Sequence, residues 1–168
     1  MREFENHVEE ELDEELEYAE YESAVEKILK DNEAHLSGFG QWLTEKGLVK
    51  KTIDKHVTNV EFYINHFLVR DEALSAGEGC TEILDNYLGY HFIKKATWAS
   101  CAEIKANVAS FKKFYAYLLE KRVIDEEAYD EFLAIIKEQM PVWIETMKAF
   151  ENEEADWYEI GLDLSEEE

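Results

Sequence analysis

The sequence predicts an all-α fold, with helices in the N- and C-terminal blocks in addition to those in the middle of the chain. Three observations carry the fold class. One Pro and seven Gly in 168 residues leave too little turn chemistry for a sandwich or barrel. The strong helix formers Glu, Lys, Leu and Ala dominate the chain. Apolar residues recur at steps of three and four, the period of a helix with one buried face. A content of 46% hydrophobic and 13% aromatic residues is too high for a disordered acidic chain. A chain of this length supports one domain with a sizeable core.

Taken in order, Phe4, Val8, Leu12 and Leu16 are spaced four apart and are followed by Ala24, Val25, Ile28 and Leu29, predicting an N-terminal helix. Its glutamates repel one another along the exposed side, so the stripe needs a packing surface. A second helix is expected from near Asn32 to Lys46, carrying Leu36, Phe39 and Leu43 and closed by Gly47 as a left-handed cap. Ile53, Val57, Val60, Ile64, Phe67 and Leu68 mark a long helix from about Lys51 to Val69. After a break at residues 76–79, Thr81 is the expected cap of a helix bearing Ile83, Leu84, Tyr87, Leu88 and Phe92, with Lys94 and Lys95 at its end. Ser100 and Glu103 form a capping box for a helix with Ile104, Val108, Phe111, Tyr115 and Leu118. Asp125 caps a helix with Tyr129, Phe132, Leu133 and Ile136, and Pro141 suits the first turn of another with Trp143, Ile144, Met147 and Phe150. Residues 151–168 show no clear helical period and read as a flexible acidic tail able to dock through Trp157 and Tyr158.

Charge divides the chain in the same way. Forty acidic against 17 basic side chains give a formal −23. Residues 1–33 hold 14 acidic and three basic groups, a net −11, and residues 123–168 hold 16 and two, a net −14. Residues 34–122 hold ten acidic and 12 basic groups, a net +2. The expected organisation is an acidic helical segment at 1–33, a helical domain at 34–124, acidic helices at 125–150 and the tail at 151–168. No basic region precedes an apolar run at the start, and no stretch has the ~18 apolar residues that cross a bilayer. Cys80 and Cys101 lie in no CxxC or Cys/His cluster and read as reduced structural thiols. These features predict a soluble cytoplasmic protein without a membrane partner.

The segments FGQWLTEKGLVKKTIDKHVTNVEFYINHFL, TEILDNYLGYHFIKK and SCAEIKANVASFKKFYAYLLEKRVI together resemble the core-binding domain of tyrosine recombinases, the phage-integrase family. The similarity covers about residues 34–124 and is one of pattern. It implies a SAM-like helical bundle that forms half of a clamp around double-stranded DNA in integration and recombination. It also implies that the helices opening at Lys51 and at Ser100 face the duplex. Lys51, Lys55 and Asn59 fall on one side of the first, and Lys105, Ala109, Lys112 and Lys113 on one side of the second. With Lys50 beside them, Lys50, Lys51, Lys55, Asn59, Lys105, Lys112 and Lys113 are the candidate DNA contacts, and each phosphate contact releases a counterion.

The sequence departs from that family where the catalytic domain would begin. After Arg122 it has no Arg and no His, whereas phosphoryl transfer needs cations against the developing charge. His7, His35, His56, His66 and His91 make no HExxH and no Glu-x-x-His pair, and no phosphate loop or GxSxG elbow is present. The sequence therefore assigns no catalytic residue, metal site or cofactor. Two functions follow as expectations: a non-catalytic DNA-binding domain, or an acidic protein-interaction or regulatory module that has lost DNA binding and takes a basic protein through its charged ends.

Overall fold

The computed structural model describes the backbone of residues 1–166 and the side chains of residues 1–153. It is all-α, and no strand occurs among the described residues. The helices are α1 (Arg2–Glu45), α2 (Lys50–Glu61), α3 (Ile83–Asn86), α4 (Phe92–Lys95), α5 (Cys101–Glu120) and α6 (Glu126–Glu166). A π-helical turn at Phe62–Phe67 prolongs α2, and a second at Tyr87–His91 joins α3 to α4.

The two helices expected on either side of residue 33 are one. With no Gly or Pro before Gly38, nothing in the sequence stops the helix at that boundary. Lys46 closes α1, and Gly47 follows at φ +87°, the left-handed conformation its missing Cβ allows. The second half of α1 buries Asn32, Phe39 and Leu43, whereas every residue from 1 to 20 is exposed.

The π turn after α2 has a chemical consequence. Its wider i to i−5 register, with Leu68 N–H donating to the Tyr63 carbonyl at 3.0 Å, perturbs the usual ladder of backbone partners. Asn32 reaches across from α1 and donates from Nδ2 to the Ile64 carbonyl at 3.1 Å and to Asn65 Oδ1 at 2.9 Å. The connection to α3 is held by buried tyrosines: Tyr63 donates to the Gly79 carbonyl at 2.6 Å and Tyr115 to the Ala76 carbonyl at 2.8 Å. Thr81, expected to cap α3, instead donates to the Glu78 carbonyl at 2.9 Å, and Glu82 occupies the cap position. The 3₁₀ turn Gly77–Cys80 draws Thr81 back into itself.

Ser100 caps α5 as expected, accepting the Glu103 N–H at 3.0 Å, and Asp125 accepts the Ala128 N–H at 2.8 Å ahead of α6. Pro141 opens no new helix. It sits inside α6, whose neighbours are held by tertiary packing: Trp143 is 1% exposed and donates from Nε1 to Asp85 Oδ1 at 2.6 Å. Gly89 makes room for that indole, since a Cβ there would lie 2.9 Å from it. Phe132, Ile136, Trp143 and Met147 place α6 in the same core as Phe39, Tyr63, Leu88, Phe111 and Phe114. The acidic C-terminal segment is thus part of the bundle as far as Met147. The expected tail from residue 151 continues α6 to Glu166, and the docking expected of Trp157 and Tyr158 lies outside the described side chains.

Candidate nucleic-acid interface

Helices α2 and α5 pack side by side, and a short polar seam lies between them. Ser110 Oγ donates to the Ala106 carbonyl at 3.0 Å and accepts from Asn59 Nδ2 at 3.0 Å. His56 Nδ1 lies 2.8 Å from the same oxygen. Which of the two donates follows the tautomer of the imidazole. Burial, and secondarily the charge of Lys113, pushes the imidazole pKa below its usual value and favours its neutral form.

The seam removes Asn59 from the candidate contacts: it is 7% exposed and its amide is committed to Ser110. The sequence pattern placed it beside Lys55 four residues earlier, but the approach of α5 covers that end of the stripe. Lys55 remains exposed and forms an ion pair with Glu103 at 2.9 Å. A part-exposed pair of this kind contributes at most about 1 kcal/mol and can exchange its partner for a phosphate. Glu103, expected to complete the capping box, has turned toward Lys55 instead.

Lys50, Lys51, Lys105, Lys112 and Lys113 are all exposed. The charge of Lys113 adds to the lowering of the His56 pKa. Lys112 lines a groove of about 650 Å³ between α5 and α6. Lys137 and Lys148 from α6 share that groove, with Leu133, Ile136, Met140, Pro141, Ile144 and Glu145. Lys137 and Lys148 were not among the sequence candidates because both sit in a segment of net −14. Their spacing was the available signal: 11 residues is three helical turns, which stacks both on one face.

Glu145 shares the groove with these cations, while other acidic groups of α6 lie elsewhere. Glu131 and Glu138 border clefts shared with Glu82, and one of these also takes in Asp85. A separate cleft of about 460 Å³ between α1 and the turns near residues 75–78 and 123–125 is lined by Asp31, Asn32, His35, Glu78 and Asp125. Burial lowers the pKa of His35 there, partly offset by Asp31. Among the described residues no group of three or more His, Cys, Asp or Glu is placed to hold a metal ion, and no helix is long and apolar enough to cross a membrane. Cys80 is buried, which raises its thiol pKa, and both cysteines are free.

The arrangement places exposed ammonium groups on α2, α5 and α6. It contains no arginine: the three in the sequence are Arg2, Arg70 and Arg122, none of them on α2, α5 or α6. Comparison with protein-family models, curated proteins and solved structures finds no significant match.

Proposed function

We propose that this chain is a non-catalytic DNA-binding domain of the kind found at the core-binding position of tyrosine recombinases, serving DNA integration or recombination. The observation that carries the reading is the set of exposed lysines on α2, α5 and α6, with Lys112, Lys137 and Lys148 around one groove. Lysine is a compact point charge without the guanidinium fork that reads guanine, so the predicted contact is to phosphates, with little discrimination among sequences. Fluorescence anisotropy of a labelled duplex with the full chain tests this. Binding at low salt should weaken with a log–log slope of about −0.9 per phosphate neutralised. Absence of binding at the lowest salt, or binding indifferent to salt, refutes it.

A second reading, an acidic protein-interaction module, is favoured by one observation. Phe4, Leu12 and Leu16 are 74%, 53% and 62% exposed on a helical arm with ten carboxylates between residues 2 and 20. A partner for that arm needs an apolar surface rimmed by cations. A Lys-rich amphipathic helical peptide is the simplest probe. Its affinity for the full chain should fall when Leu12 and Leu16 are both changed to Glu, and unchanged affinity counts against the reading.

A further inference from the structure

We infer that the N-terminal arm of α1 docks in the α5–α6 groove of a second copy of the chain. The inference deepens the interaction-module reading and rests on it, since it names the partner.

Complementarity carries the inference. The arm presents Phe4, Val8, Leu12 and Leu16 along one face, all exposed, flanked by carboxylates. The groove presents an apolar floor that includes Ile136, Met140 and Ile144, with three cations, Lys112, Lys137 and Lys148, against one carboxylate, Glu145, around it. The lengths agree as well. From Phe4 to Leu16 the stripe runs about 18 Å, and from Leu133 to Lys148 the groove side of α6 runs about 22 Å, at ~1.5 Å per residue.

The arm does not reach this groove within its own copy. It is the first part of a helix unbroken to Glu45, and the half beyond it is packed on α2, α5 and the π turn. Folding back would break a helix that has no Gly or Pro before residue 38. Pairing of two arms with each other is disfavoured, because ten carboxylates on each would face their counterparts, whereas the groove meets them with lysines.

Sedimentation equilibrium of the full chain without DNA provides the test, using L12E/L16E, K112E/K137E and their equimolar mixture. All four substituted side chains are exposed, so both variants should keep the wild-type circular dichroism. The wild type should associate with concentration. L12E/L16E should weaken association about a hundredfold, from the loss of two apolar anchors, and K112E/K137E at least about tenfold. The mixture should form a heterodimer, because one variant retains the groove and the other the arm. A wild type that stays monomeric overturns the inference, as does a K112E/K137E variant that associates like wild type, which would mean arm-to-arm pairing. A monomeric wild type whose arm still captures the Lys-rich peptide would leave the interaction-module reading standing without this partner.

Discussion

A single hydroxyl decides the state of the α2–α5 seam. Ser110 Oγ meets the Ala106 carbonyl at 3.0 Å, Asn59 Nδ2 at 3.0 Å and His56 Nδ1 at 2.8 Å. Replacing Asn59 with Ala leaves that acceptor short of a donor and should lower the unfolding free energy by about 1–3 kcal/mol in denaturant titration, with DNA affinity of the folded protein unchanged. The role of Asn59 was hidden in the sequence. Its four-residue spacing from Lys55 is the same for an exposed stripe as for one whose last member lies under a neighbouring helix. His56 gives the seam a pH dependence of definite sign. Its folded-state pKa lies below the unfolded value of about 6.5, so its contribution is fully present above that pH and is lost as pH falls through the folded value. Burial lowers His35 and His91 too. Stability should therefore fall on acidification below about pH 6.5, and H56Q should remove part of that fall, as measured by thermal unfolding at pH 7.5 and 5.5.

Among the elements, α6 shows most clearly what patterning can and cannot convey. Its cap at Asp125 and its apolar residues Phe132, Ile136, Trp143 and Met147 were legible from local chemistry and period. Its continuity through Pro141 was not, because a mid-helix proline costs about 3 kcal/mol and only tertiary packing offsets it. Trp143 supplies part of that packing, through burial and its bond to Asp85. W143A should destabilise the protein by about 3–5 kcal/mol in denaturant unfolding. G89A should act on the same contact from the other side, displacing the indole, weakening its bond to Asp85 and red-shifting the tryptophan emission. The α1 boundary failed for a related reason: the shift of charge near residue 33 says where carboxylates cluster, not where hydrogen bonding stops. The π turns also left no mark on the apolar period, since each re-aims a helix without ending it.

Across the whole molecule, the total charge of −23 conceals its distribution. The all-α class and the positions of α2 and α5 were readable because caps and periodicity are local. The meeting of Lys112 with Lys137 and Lys148 is long-range and appears only once α6 folds against α5. The expected domain limits at 34 and 124 cut through α1 and exclude the α6 residues that complete the core, so the proposed DNA surface would belong to the full bundle. The proposed arm docking would cover part of that surface. On this account L12E/L16E, by freeing the groove, should bind duplex more tightly than wild type at equal low salt. The central claim is tested most directly by comparing duplex affinity of wild type and K112E/K137E/K148E, both full-length, by fluorescence anisotropy across a salt series. The account predicts wild-type binding at low salt, a loss of about tenfold or more in the variant, and a log–log salt slope shallower by up to about 2.7, for three lost phosphate contacts. Equal affinity and equal slope in the two proteins would contradict it.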